Sequence, residues 1–426
     1  MSKLPRQWSP KHKQRPQLPT ARYQNYAKVL AAHGDRTTTT SARNPNSHFK
    51  AWSNVLINNL KTKVKPNPAK PALVDDHGTG EPGTGTTIGN GYTLGVAAGV
   101  LYVTQRGLQQ IPVHFRNGLF KAGKYNVCTR FSEAPASGMH LARLAAKVQL
   151  GQGRELDLLT TETKTNFPIA DNKALSIFVQ SETSTLQAAV RALWYAGTTK
   201  KLVANNPPTV GELGMMHLPL QPLGRSFYSM VPFAVKGSGA GEIAVFKFSF
   251  VPRDATRRAF VDKEMMHKCR HVLRSKVTSK EKYAQLKELA THNTKFTMAD
   301  SVRRGLKSKQ PVEYDLRVQF STDPRTEPLN DATVRWNTPE YTIGTLRIPA
   351  QTCNADGVSS LVKLDNSKRL SFVPGKIHKS VGDVGAFRHY LYPHYDRARQ
   401  QHLLGNDGTA QKCPFAHIAA NMNRKK

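Results

Sequence analysis

Acidic residues are scarce in this chain of 426 residues: 29 Asp and Glu stand against 62 Lys and Arg, a formal charge of +33. Cysteine is scarcer still. Cys128, Cys269, Cys353 and Cys413 are scattered with no C-x-x-C pair, which excludes a zinc ribbon and a disulfide framework. Residues 1–25 hold no apolar segment of the kind that opens a secretory signal. No run of 18 apolar residues exists, so no helical membrane span is expected. These absences predict a soluble protein of a reducing compartment, the cytoplasm.

The basic excess creates a field that attracts polyanions, anionic lipid surfaces and carboxylate-bearing substrates. Part of it sits in short tails, MSKLPRQWSPKHKQRPQ at the start and NRKK at the end. No aromatic-interleaved RNA motif accompanies it, so no specific nucleic-acid partner is expected. An anionic membrane surface remains open, as does plain solubility.

Three regions follow from composition. Residues 1–45 are basic and rich in Pro, Ser and Thr, an extended arm with little to bury. Residues 46–405 form the globular body, and 406–426 a basic tail. Within the body, FKAWSNVLINNL at 49–60 has helical spacing. Residues 65–91 carry four Pro and six Gly and read as a long loop. Its Gly-rich run lacks G-x-x-x-x-G-K-[ST], so phosphate-loop chemistry is not predicted.

From 94 the pattern becomes that of strands: LGVAAGVLYV, IPVHF, KYNVCTRFS, LAAKVQL and ELDLLTTE. Residues 172–197 read as a helix, with Leu186, Val190 and Trp194 four apart. GEIAVFKFSFVP alternates, placing Phe246, Phe248 and Phe250 on one face and Ile243 and Val245 on the other. Residues 258–308 read as two basic helices, and EYDLRVQFS and YTIGTLRIPAQ close the strand set. Strands first and helices late, without βα alternation, predict an α+β fold with an antiparallel sheet.

The stretch His378 to Arg399 carries the most chemistry. Arg388 and Tyr392 lie four apart, on one face of a helix. A tyrosine is a poor metal ligand while protonated, near pKa ~10. A neighbouring guanidinium favours the phenolate, and so does ferric iron. The pair therefore suits a phenolate-ligated haem. Pro393 follows directly, so the helix kinks or ends there. Tyr390 and Tyr395 are the neighbouring alternatives, neither with an Arg four residues before it.

This stretch resembles the proximal helix of the catalase superfamily, especially its shorter, catalase-related members. Their pattern is roughly H-x-P-L-G-x-x-N-R-x-R-x-x-x-Y. His378, Val381, Gly382, Arg388 and Tyr392 fall into that register. Other blocks follow in order. Gly118-Leu119-Phe120 precedes Arg130-Phe131-Ser132, which resembles R-F-S. Tyr228-Ser229, Pro232, Val245, Lys247 and Pro252 resemble Y-S-x-x-P … V-K-x-x-x-x-P. Gln319, Asp323-Pro324, Pro328-Leu329, Asp331-Ala332, Trp336 and Ile348-Pro349-Ala350-Gln351 resemble Q-x-x-x-D-P … D-A-x-x-W … I-P-x-Q.

The resemblance implies a closed antiparallel β-barrel with C-terminal helices, and haem b between barrel and proximal helix. Tyr392 would ligate the iron, and Arg388, Arg130 and His378 would line the cofactor. On the distal side the family uses a His and an Asn. Here the His position falls on Asn90 or Gly91, with Tyr92 and Thr93 beside it, and the Asn position near Thr160-Thr161-Glu162. Asn90, Tyr92, Thr93 and Thr161 are thus the distal candidates. His77 and His114 are the nearest histidines, and Asn166 a shifted substitute. Cys413-Pro414 in the tail has the form of a regulatory thiolate site, or of a free cysteine.

Three functions are compatible. One is a catalase-related haem enzyme acting on an organic or fatty-acid hydroperoxide, as peroxidase, isomerase or lyase. A second is a hydrogen-peroxide catalase or peroxidase with a distal base outside this register. The third is a non-catalytic barrel that binds haem or a polyanion. An oligomer is compatible with all three.

Overall fold

In this computed structural model the described residues are 74–75, 78–79, 92–136, 139–162, 221–229, 231–239, 243–260, 263–292, 298–323, 326–329, 334–353, 358–362, 372–373, 375 and 377–380. The expected arm, tail and helices at 49–60 and 172–197 lie outside them. Asn90, Arg388, Tyr392, His77, Asn166 and Cys413 also lie outside.

In chain order the strands are β1 Val74–Asp75, β2 Gly78–Thr79, β3 Tyr92–Val103, β4 Gly123–Ala136, β5 Met139–Gly151, β6 Arg154–Thr161, β7 Phe227–Tyr228, β8 Phe233–Lys236, β9 Ile243–Pro252, β10 Val312–Phe320, β11 Glu340–Ile348 and β12 Lys379–Ser380. Every ladder between named strands is antiparallel. β3 to β6 pair in sequence, β7 joins β6 to β9, and β9–β10–β11–β3 closes the ring. Closure removes the exposed sheet edge. The fold is a closed eight-stranded barrel in which β7 and β8 together fill one strand position against β9.

The barrel closes around its apolar alternation. Phe246, Phe248 and Phe250 of β9 face Leu316, Val318 and Phe320 of β10 in one core. Leu144, Ala146 and Val148 of β5 and Leu156 and Leu158 of β6 join them. Val245, on the other face of β9, packs instead with Trp336. That is the period-two split expected from the sequence.

Helices α1 (Asp254–Phe260), α2 (Lys263–Arg274), α3 (Ser279–His292) and α4 (Met298–Lys307) lie between β9 and β10. The stretch expected to hold two helices holds four, with α2 and α3 parted at 275–278. α4 buries Met298, Val302 and Leu306 in the barrel core. α2 and α3 share a small core of their own around Met265, Cys269 and Leu286. IPVHF is not a strand: Val113–Phe115 is a short 3-10 turn behind Pro112. The loop expected over 65–91 contains the small β1–β2 hairpin.

Several residues of the quoted blocks do structural work. Gln351 accepts from the Ala98 N–H at 2.8 Å and donates to the Ala98 carbonyl at 2.9 Å. It thereby satisfies β3 backbone groups beyond the four residues that pair with β11. Gln319 donates to the carbonyls of Trp336 and Thr338. The Ser229 hydroxyl accepts from the Phe248 N–H.

Candidate functional site

The outer face of β3–β6 holds the buried polar groups that the barrel core does not use. Side chains alternate along strands, so Val96 and Ala98, Cys128 and Arg130, Ala145 and Lys147, Asp157 and Leu159 share that face. Val358, Val362, Phe372 and Val373 cover its apolar part. Arg130 is 4% exposed, and its guanidinium lies 4.6 Å from the centre of the Phe372 ring. Such a stack keeps a buried cation against a π face.

Below it is a charge cluster. Lys147 donates to Asp157 at 2.6 Å and to Glu155 at 3.2 Å. Burial alone would lower the Lys147 pKa, but the Asp157 and Glu155 carboxylates outweigh it and hold the pKa above the usual lysine value. The second Asp157 oxygen accepts the Val373 N–H at 2.8 Å. The strap 372–380 is thus tied to the barrel wall by a buried carboxylate.

Its far end is tied by His378. The His378 Nε2 accepts the Leu119 N–H at 3.0 Å, and its ring sits against Phe120 and Phe246. Accepting at Nε2 fixes the neutral ring with its proton on Nδ1. Burial lowers its pKa to about 4. Gly118 makes the approach possible: its φ is +54°, and a Cβ there would lie 2.6 Å from Nε2. Lys379 and Ser380 then pair with β8. His378, a candidate cofactor contact from sequence, sits among barrel-core aromatics.

A single cross-strand row links two of the distal candidates. Thr93 pairs with Ser132, Ser132 with Arg143, Arg143 with Thr161, and Thr161 with Tyr228. A bulge after Thr93 inserts Leu94 into the core. Tyr92 pairs one step away, opposite Glu133. Thr161 is buried. Burial raises the Tyr228 pKa, against a hydrogen bond with Ser226. His114 stands on the 3-10 turn, its ring tilted against that of Phe115.

Arg143 was not among the sequence candidates. Its Nη1 is buried with no hydrogen-bond partner among the described residues. It lies diagonally from Arg130, whose partner on β5 is Ala145. The period-two spacing Arg143, Ala145, Lys147 carried the signal, since Lys147 shares the face. Together the buried Arg130 and the half-buried Arg143, whose Nη1 is itself buried, place two cations beside the apolar cover of this face, a receptor for carboxylates. Among the described residues no group of three His, Cys, Asp or Glu could hold a metal ion. No helix there is long and apolar enough to cross a membrane.

No protein-family profile matches the chain, and no curated protein matches it. Among solved structures, a bacterial catalase superposes with a TM-score of 0.50 at 16% identity, over 75% of this chain and 59% of that one. The fold is catalase-like. A fungal catalase gives a TM-score of 0.49 at 15% identity, over 75% of this chain and 60% of its own. Catalase A from Saccharomyces cerevisiae gives 0.49 at 15%, over 76% and 62%. This chain spans about 59% of the length of the bacterial catalase. The catalase-like barrel is the level at which the likeness speaks, and the residues of its outer face must argue for themselves.

Proposed function

We propose that the protein is a haem-dependent enzyme of the catalase-related type. Its substrate is a peroxide, and the outer-face chemistry favours an organic or fatty-acid hydroperoxide over hydrogen peroxide. The observation that carries this reading is the pair of Arg130, buried, and Arg143, with its Nη1 buried, on the barrel face to which Val373 is tied. The orphaned Arg143 Nη1 fits a carboxylate-bearing ligand.

Arg130 and Arg143 would hold the carboxylates of haem b, and Tyr392 would hold its iron as a phenolate stabilised by Arg388. When bound, the haem supplies an iron that cleaves a peroxide O–O bond. This chain does the rest. Leu159, Val96, Val362 and the strap residue Phe372 exclude water from the face. Thr161 offers one hydroxyl for orienting a bound oxygen. No histidine is among the described outer-face residues of β3–β6, so no near-neutral base is at hand there for relaying protons. The lysine- and arginine-rich exterior favours a substrate that bears a carboxylate.

An absorption spectrum of the purified protein with added haem b tests the reading. A high-spin ferric tyrosinate spectrum is expected, lost in Tyr392→Phe. Unchanged haem content in that variant would place the ligand elsewhere.

A further inference from the structure

α2 presents a second surface, unconnected with the barrel face. Lys263, His267, Arg270 and Arg274 are all exposed. At about 100° per residue they fall within an arc of roughly 60°, and they span roughly 16 Å along the axis. The opposite flank is occupied: Met265 and Cys269 are buried against Leu286 of α3. The stripe is therefore not the packing face of the helix.

Its charges are not neutralised at home. Glu264, the one acid of α2, pairs with Lys268, away from the stripe. No carboxylate among the described residues pairs with Lys263, Arg270 or Arg274. Nor is the surface built for lipid. The exposed large apolar side chains among the described residues are Val113 and Leu361, neither on this helix. No Phe, Tyr or Trp stands in the stripe, and the single His267 ring is no platform for successive bases. A straight row of cations without apolar or aromatic neighbours complements one thing best, a regular row of phosphates.

We infer that the α2 stripe is a docking surface for duplex nucleic acid. Lys263, Arg270 and Arg274 grip backbone phosphates and read no bases. The inference is independent of the haem reading, since no residue is shared.

The test uses the full-length protein and a labelled DNA duplex of mixed sequence, with affinity measured by anisotropy across a salt series. Lys263→Gln/Arg270→Gln/Arg274→Gln should weaken binding at low salt about tenfold or more. It should also flatten the log K against log salt slope by about 2.7, three phosphate contacts' worth. A charge-matched control, Lys121→Gln/Lys124→Gln/Arg154→Gln, removes three exposed cations elsewhere and should leave affinity within a few-fold. Arg270→Lys/Arg274→Lys should bind as the parent does, because point charges suffice for phosphate; this arm also separates lost contacts from lost folding. Equal losses in the stripe and control variants would overturn the site in favour of diffuse charge. Tighter binding to a single strand, or to phosphatidylglycerol vesicles at matched phosphate, would overturn the duplex.

Discussion

The Asp157 carboxylate accepts the Val373 backbone N–H at 2.8 Å, joining residues 216 apart in sequence. Asp157 also receives Lys147 at 2.6 Å, with its own side chain fully buried. One buried carboxylate thus neutralises a buried lysine and fixes the strap.

Removing one partner of such a pair strands the other in a dry environment. Asp157→Ala should destabilise the protein by about 3–5 kcal/mol. The double replacement Lys147→Met/Asp157→Leu should recover much of that loss, because apolar residues of similar volume suffer no uncompensated charge. Urea midpoints for the single and double variants measure this. A cost below about 1 kcal/mol for Asp157→Ala would mean the strap is held elsewhere.

His378 predicts a pH dependence. Its folded pKa, about 4, lies below the ordinary 6.5. Between those values the unfolded chain binds the proton and the folded chain does not, so stability rises with pH there. The contribution is present above pH 6.5 and is lost as the pH falls to 4, at about 3 kcal/mol in all. His378→Gln keeps an acceptor for the Leu119 N–H and should flatten that part of the curve. If both proteins lose stability in parallel from pH 6.5 to 4, the ring is not buried and neutral.

Arg143 makes a prediction with opposite signs. Without a ligand its buried Nη1 has no hydrogen-bond partner among the described residues, and an unsatisfied buried donor costs about 1–3 kcal/mol. Arg143→Leu should therefore raise the stability of the haem-free protein by about that amount while weakening haem retention. Melting of the two forms, with haem titration, separates the effects. A variant that is weaker in both respects would make Arg143 a structural residue only.

The barrel was legible because its signal is local. Phe246, Phe248 and Phe250 alternate in sequence and face one core in space. The helical stretch reads as fewer helices than it holds because the break at 275–278 is short and mostly polar, and periodicity blurs across it. IPVHF has strand composition, but Pro112 and Gly118 turn it out of the sheet. The outer-face site was only half legible. Arg130 was found through its motif. Arg143 and the Lys147–Asp157–Val373 contact were not, since pairing across β4, β5, β6 and a strap more than 200 residues away is a product of register. The histidine at 378 was visible as a motif residue, yet its partner Leu119 is 259 residues distant.

The proposed substrate preference rests on proton handling. Splitting hydrogen peroxide into water and oxygen needs a group that takes a proton from one oxygen and returns it to the other, and a near-neutral histidine suits both steps. The described outer-face residues of β3–β6 offer hydroxyls, arginines and a lysine held protonated by two carboxylates, none of which is such a base. His378 is committed to Leu119 with its pKa lowered to about 4. An organic hydroperoxide makes a smaller demand, because its own carbon skeleton can rearrange without a returned proton. Initial rates with hydrogen peroxide and with a fatty-acid hydroperoxide, at equal haem loading, should favour the latter by at least about tenfold, ~1.4 kcal/mol in barrier. Under the proposed ligation, Arg388→Ala should lower both rates and shift the spectrum, since the phenolate would lose its guanidinium. Rapid oxygen evolution from hydrogen peroxide would reveal a distal base outside the described face and sink the preference.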